Sequence, residues 1–273
     1  MGILTRDIAE RARLLDGLTE IASRAAAAIL AVKDPRGTQR DKADSSPVTA
    51  ADEASEAVIL DGLAKLLPGV PVVSEESGQS APGALGGEFL LVDPLDGTRE
   101  LLAGEKEFAV NIAMVSGTTP ALGVIAAPAL GLIWRGNVGG GAERLNLPPG
   151  APLKDLQTRT PIRTRPQPTH GAIALVSRFH RDAATDAFLD RFADVQRLVV
   201  GAALKFCRIA EGGADIYARM GAMSEWDLAA GHALVEAAGG SMTGPKGEPL
   251  RYGRPDFRIA SFLARGDRTV IRA

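Results

Sequence analysis

Phe89-Leu-Leu-Val-Asp-Pro-Leu-Asp-Gly-Thr98 joins an apolar run to a turn that carries two carboxylates. Phe89 to Val92 reads as a buried strand. Pro94 fixes its own φ and has no N–H to donate, so the strand is expected to end at Asp93. Gly97 lets the backbone bend tightly, and Thr98 is the expected N-cap of the helix that follows. Asp93 and Asp96 would then share one sheet edge with backbone N–H groups free to hold an anion. Hard cations and phosphates both bind such a place. An Asp-Gly turn between two ordinary elements has the same local spelling, so the rest of the chain has to decide.

The composition narrows the choices. Of 273 residues, 45% are hydrophobic but only 4% aromatic, so the core is expected to be built from Ala, Val, Leu and Ile. The length admits one large domain or two that share a cleft. With 31 basic and 33 acidic residues, nothing general attracts a nucleic-acid polymer or an anionic membrane. Cys207 is the only cysteine, which excludes an internal disulfide and a Cys-based zinc cluster and fits a reducing cytoplasm. Arg6, Asp7, Glu10, Arg11 and Arg13 leave no apolar core for a signal peptide, and Ala25 to Val32 is too short to span a bilayer. A cytoplasmic protein is expected, with peripheral association at the inner membrane left open.

Ile8 to Val32 has apolar residues at helical spacing and predicts a long amphipathic helix. Lys33 to Pro47 is polar and reads as a loop or loose hairpin. Thr49-Ala-Ala-Asp52 then spells a capping box for a helix that stops before Pro68-Gly69. Val70 to Ser74 is strand-like and delivers Glu75 and Glu76. After a linker from Gly78 to Gly87 and the opening stretch come strands at Phe108 to Val115, Ala121 to Ala127 and Leu132 to Arg135. Gly136 to Gly141 lacks dinucleotide-loop spacing and reads as a hairpin turn. Leu147 to Pro168 is the expected boundary, dividing an α+β half (1–165) from an α/β half (166–273), with the site in the cleft between them. Beyond it, a strand at Ala172 to Val176, a helix at His180 to Phe192, a strand at Arg197 to Val200 and a helix from Ala203 to Gly212 are expected. A strand at Ile216 to Arg219, a helix at Trp226 to Ala238 and a strand at Phe257 to Leu263 complete the alternation.

Acids recur at element ends. Glu75 ends one strand, Asp93 and Asp96 end the next, Asp52 sits in a first helical turn, and Asp227 opens Trp226-Asp-Leu-Ala-Ala-Gly231. Taken singly, Asp227 could merely complement a helix dipole and Glu75 could be a solvated strand end. Collected at one cleft, these carboxylates would repel unless cations held them together. Mg²⁺ suits oxygen ligands, a few carboxylates and substrate phosphate, and two such ions could activate a water and neutralise a leaving oxygen.

Glu75-Glu76, Asp93-Pro-Leu-Asp-Gly-Thr98 and Trp226-Asp-Leu-Ala-Ala-Gly231 closely resemble the three signature motifs of the inositol monophosphatase superfamily, in order and separation, with likeness from about Asp41 to Gly240. The resemblance implies a layered αβαβα sandwich and a Mg²⁺-dependent, Li⁺-sensitive phosphomonoesterase with two or three ions. It implies that Glu75, Asp93, Asp96 and Asp227 ligate metal by side chain and Leu95 by its carbonyl. Gly97 and Thr98 would meet the phosphate through N–H groups, while Thr98 and Asp52, with Glu75, would serve the attacking water. No C-x₅-R or G-x-S-x-G nucleophile motif occurs, in keeping with direct in-line hydrolysis.

Within the superfamily, Asp41-Lys-Ala-Asp-Ser-Ser-Pro-Val-Thr-Ala-Ala-Asp52, Gly104-Glu-Lys-Glu-Phe-Ala-Val-Asn-Ile112, Ser177-Arg-Phe-His180 and Leu204-Lys-Phe-Cys207 look most like the bacterial 3′(2′),5′-bisphosphate nucleotidases of sulfate assimilation. That likeness implies adenosine 3′,5′-bisphosphate as the substrate, with AMP and phosphate as products. A second phosphate needs cations away from the metals. The candidates by likeness are Lys205, Arg219 and His180, with Glu211 placed to contact the ribose. Lys205 could instead snorkel from an apolar helix, Arg219 could be an ion-pair partner and His180 a neighbour of a helix cap. Gly201-Ala202-Ala203 departs from the usual Gly-Ser-Ser, removing two hydroxyl donors where the far phosphate is expected. The rivals are inositol monophosphate or fructose 1,6-bisphosphate as substrate with the same chemistry, and an inactive metal- or nucleotide-binding protein. A homodimer is an open assembly state.

Overall fold

The computed structural model describes residue 3 and residues 7–41, 47–79, 85, 87–166, 168–192 and 194–267. Lys42 to Ser46 of the stretch ending at Asp52, and most of the linker from Gly78 to Gly87, lie outside them. Helix α1 (Ile8–Ala31) starts at Asp7, whose carboxylate accepts the Glu10 N–H, and buries Leu15, Leu18, Ile21, Ala22, Ala25 and Ile29 on one stripe. Ile8, at its first turn, is exposed. Strands β1 (Arg40–Asp41) and β2 (Pro47–Val48) pair antiparallel and lead into α2 (Ala50–Leu66). The Thr49–Asp52 capping box forms as the spacing predicts.

The larger sheet contains β3 (Val72–Ser74), β4 (Gly78–Gln79), β5 (Glu88–Asp96), β6 (Ala109–Ser116), β7 (Thr119–Ala127), β8 (Leu132–Asn137), β9 (Gly141–Asn146) and β10 (Thr158–Ile162), in the order β10-β9-β8-β7-β6-β5-β3-β4. Only β3 and β5 run parallel. The short helix α3 (Thr98–Ala103) follows β5. Contrary to expectation, β5 does not stop at Asp93. Its register with β6 breaks between Asp93 and Asp96, and pairing resumes at Asp96 opposite Ala109. Pro94 sits inside this bulge, where no ladder N–H is required.

The smaller sheet has β11 (Ile173–Val176), β12 (Gln196–Val199), β13 (Ile216–Arg219), β15 (Ser241–Thr243) and β17 (Phe262–Arg265), ordered β12-β11-β13-β17-β15. Helices α4 (Ala183–Leu189), α5 (Leu204–Ala210) and α6 (Glu225–Ala237) and the pair β14 (Met223–Ser224) and β16 (Arg258–Ile259) complete it. Two expectations change here. The helix after His180 is shorter because Asp182 caps it, accepting from the Thr185 N–H. The strand expected from Phe257 splits into β16 and β17.

The layers run α1/α2, large sheet, α5/α6, small sheet, α4, each packed on the next. Three apolar clusters fill the intervening spaces. The central layer is tight because glycine lets it be. A Cβ on Gly123 of β7 would lie 2.4 Å from the Ala230 carbonyl oxygen, and one on Gly231 of α6 would lie 2.2 Å from the Phe206 ring. Helix α6 is thereby pressed between the sheets, its N-terminus aimed where β3 and β5 end.

Candidate active site

Each acid reaches the cleft by a local cause. The Glu75 N–H bonds to the Val92 carbonyl, continuing the β3–β5 pairing and holding Glu75 beside the end of β5. Asp93 is buried, and its Oδ1 accepts the Leu95 N–H at 3.0 Å, which shapes the bulge. Ser55 of α2 donates to the Pro94 carbonyl at 2.6 Å and ties that helix to the same bulge. Asp227 stands in the first turn of α6, where its carboxylate completes a capping box with Ser224. Glu75, Asp93 and Asp227 each offer an oxygen within 4.8 Å of the others, a grouping fit to hold a metal ion. Asp96 and Leu95 line the same cleft, of about 370 Å³.

The electrostatics follow from crowding. Burial raises the Asp93 pKa well above the ordinary carboxylate value, and Glu75, Asp96, Asp227 and Asp52 add to the rise. Asp227 is raised by burial, then by Glu75 and Asp96. Asp96 is raised by burial too, against the opposing charge of Lys205. Carboxylates in this condition bind protons or cations in preference to standing charged and alone.

Gly97 has φ of 93°, and a Cβ there would lie 3.1 Å from the Ala202 Cβ and 3.3 Å from the Glu107 carbonyl oxygen. Gly97, not Thr98, is the cap residue, so the expected capping role of Thr98 is corrected. The Thr98 hydroxyl lies 3.0 Å from Asp52 Oδ1 and 3.3 Å from the Leu95 carbonyl oxygen. The other Asp52 oxygen accepts from the Thr49 N–H and hydroxyl at 2.8 Å each. Burial nonetheless raises the Asp52 pKa.

A cationic side faces the acids. Arg219, at the end of β13, has an Nε without a hydrogen bond, and among the described residues that atom's ion pair is a long one, 3.8 Å to Asp182. Lys205 is buried in a recess that shares Asp96, Gly97 and Arg219 with the cleft. Its Nζ donates to the carbonyls of Ala202 (2.6 Å) and Val200 (3.3 Å) and lies 5.0 Å from the Tyr217 ring centroid. Burial lowers its pKa to about 8, against the pull of Asp96 and Glu100. His180 also lines the cleft, and its pKa is lowered to about 4 by desolvation, then by Arg219, Arg99 and Lys205.

Glu211 is not brought to the cleft. Its carboxylate, at the end of α5, accepts from the Trp134 indole at 2.7 Å and from Arg144 at 3.0 Å, and this engagement overturns the expected ribose contact. His232 lies buried with Nδ1 3.0 Å from the Tyr252 hydroxyl, and Cys207 is buried as well. The sequence reading missed Arg99, Glu100 and Arg258, all of which line the cleft. Arg99 and Glu100 directly follow Gly97-Thr98 and could have been found there. Arg258 comes from a distant strand and carries no local signal.

Comparison with known proteins identifies the family. The model of the inositol monophosphatase family matches residues 10–271. The chain is 37% identical over 263 residues to the 3′(2′),5′-bisphosphate nucleotidase CysQ of Escherichia coli strain K12, covering 91% of this chain and 100% of that one. The crystal structure of CysQ from Bacteroides thetaiotaomicron, a bacterial member of the same family, superposes with a TM-score of 0.79 at 30% identity, over 96% of this chain and 100% of that one. The inositol monophosphatase of Anabaena gives a TM-score of 0.74 at 27% identity, over 94% of this chain and 92% of that one. Matched along nearly its whole length, and folded into the αβαβα layers its motifs imply, the chain belongs to the inositol monophosphatase family.

Proposed function

We propose that the protein is a Mg²⁺-dependent phosphomonoesterase that hydrolyses adenosine 3′,5′-bisphosphate to AMP and phosphate. The observation that carries this reading is the meeting, in one cleft, of an acidic floor (Glu75, Asp93, Asp96, Asp227) with a cationic side built on Arg219, beside which stand the uncharged His180 and the buried Lys205. The first suits a phosphate bridged by cations, and the second suits another phosphate on the same molecule. The CysQ relatives, which carry the nucleotidase name, support the substrate.

In this reading two or three Mg²⁺ ions would be held by the four carboxylates and the Leu95 carbonyl. Mg²⁺ held there supplies acidification of the attacking water and neutralisation of phosphate charge. The chain's own groups do the rest. The Thr98 hydroxyl, donating to Asp52, has its lone pairs free to accept a water proton, and Asp52 is the final acceptor. Glu75, grouped with Asp93 and Asp227, is the other residue assigned to the water. Gly97, with its open backbone, lets the phosphate approach the N–H groups at the start of α3. Residues 1–165 supply most of the ligands, and residues 166–273 bring Asp227 and the substrate-side cations. A cytoplasmic setting fits the single buried Cys207. Among the described residues, no helix is long and apolar enough to cross a membrane.

Phosphate release with Mg²⁺ should be compared on adenosine 3′,5′-bisphosphate, inositol monophosphate and fructose 1,6-bisphosphate. The expected result is the highest kcat/KM on the adenosine bisphosphate. Preference for inositol phosphate would overturn the substrate, and no release from any ester would overturn the enzyme reading.

A further inference from the structure

A second cavity, of about 340 Å³, adjoins the acidic cleft and shares Pro47 and Arg99 with it. Phe179 forms part of its wall and is 42% exposed, the one aromatic among the large hydrophobic side chains exposed in the described residues. The loop that carries it explains the exposure. Arg178 is anchored inward, its Nη2 donating to Glu107 Oε2 at 2.6 Å, and Glu107 also accepts the Gly201 N–H at 2.9 Å. His180, on the other side, lines the cleft. Between these two neighbours Phe179 is presented to the side cavity. Leu102 adds an apolar wall, and Arg99 is exposed there and makes no ion pair with the described residues.

We propose that this cavity seats a flat aromatic base carried by the substrate, with Phe179 as its stacking face and Arg99 as the guanidinium beside it. The assignment rests on the phosphatase reading above and names which part of the substrate lies outside the acidic cleft. An aromatic ring and a guanidinium are both groups that bind π faces, and every nucleobase offers two. An aliphatic ligand would use the first and not the second. Because Pro47 and Arg99 border both spaces, one molecule can lie in both.

The test uses Phe179→Ala and Phe179→Trp in the full-length enzyme, with adenosine 3′,5′-bisphosphate and the base-free ester 1-deoxyribose 3,5-bisphosphate as substrates. Phe179→Ala should raise KM for the nucleotide about tenfold, the size of one lost stacking contact. KM for the base-free ester should stay in place, and Phe179→Trp should restore nucleotide binding. An unchanged nucleotide KM, or equal shifts on both esters, would overturn the base seat while leaving the phosphatase reading standing. A changed sedimentation coefficient with unchanged KM would assign Phe179 to a protein contact and also overturn it. If the unaltered enzyme hydrolyses neither ester, the adenosine bisphosphate reading falls and the base seat with it.

Discussion

The Thr98 hydroxyl lies 3.0 Å from Asp52 Oδ1, joining the first turn of α3 to the first turn of α2 across 46 residues of sequence. Asp52 is already held by Thr49 at its other oxygen, so it can neither swing away nor be replaced by solvent without loss. The pair therefore behaves as one fixed acceptor. Thr98→Ala is expected to lower kcat about 10²- to 10³-fold with little change in KM, the range for loss of a positioned proton acceptor. Adding Asp52→Asn should cost little more, since the two act as a unit. Steady-state kinetics on the single and double variants check this, and fully additive losses would separate the roles.

Asp93 is the most crowded of the acids, raised by burial and by four neighbouring carboxylates. Without metal, its charge opposes folding near neutral pH. A raised acid pKa means that the folded state prefers the proton, so this destabilisation is present above the folded pKa and fades as pH falls. Asp93→Asn should therefore raise the Tm of the metal-free protein. The same change should abolish turnover and reduce the rise in Tm on adding Mg²⁺. Thermal unfolding with chelator and with Mg²⁺ measures both effects, and a destabilised metal-free variant would contradict the account.

Arg219 and Lys205 divide what the sequence had assigned jointly to the second phosphate. Arg219 has an Nε without a hydrogen bond, 3.8 Å from an Asp182 oxygen, and faces the cleft, whereas Lys205 is tied to the Val200 and Ala202 carbonyls beside Asp96. Arg219→Ala should raise KM for the bisphosphate about tenfold or more, as expected for a lost charge-assisted contact, and spare a monophosphate substrate. Lys205→Met should lower turnover on both esters and lower Tm, because Asp96 loses its cation and two carbonyls lose their donor. Kinetics on the paired esters separate these outcomes. A loss confined to the bisphosphate in Lys205→Met would return Lys205 to the phosphate.

His232 gives a pH signature remote from the chemistry. Burial lowers its pKa to about 4, and its Nδ1 lies 3.0 Å from the Tyr252 hydroxyl. The unfolded chain takes up this proton near pH 6.5 and the folded chain does not, so the contribution is complete above 6.5 and is lost as pH falls toward 4. About 3 kcal/mol is at stake over that window. His232→Asn should flatten the fall in stability between those limits, relative to the unaltered protein, in urea melts at several pH values.

Local chemistry explains why so much was legible in advance. The Thr49–Asp52 capping box, the α6 start beside Asp227 and the glycine bend at Gly97 each depend on residues within a few positions of one another. The end of β5 was misjudged because Pro94 forbids a ladder bond without forbidding a bulge. That outcome depends on β6, which resumes pairing at Ala109. Glu211 was misplaced because its partners, Trp134 and Arg144, lie on other strands of the fold.

Local pattern in the sequence determined the long helices, the central strands β5 to β8 and the acids at element ends, since motif spacing and local capping are written over short stretches, whereas β9, β10 and β15 carry no such signal. Only the tertiary structure decided that Glu75, Asp93 and Asp227 stand within 4.8 Å of one another, that Thr98 turns to Asp52 rather than capping its own helix, and that Phe179 is left outside. These depend on α6 lying close against Gly123, on α2 reaching across to the β5 bulge, and on Arg178 being held by Glu107. Such distances are set by packing between distant segments, which no local pattern encodes.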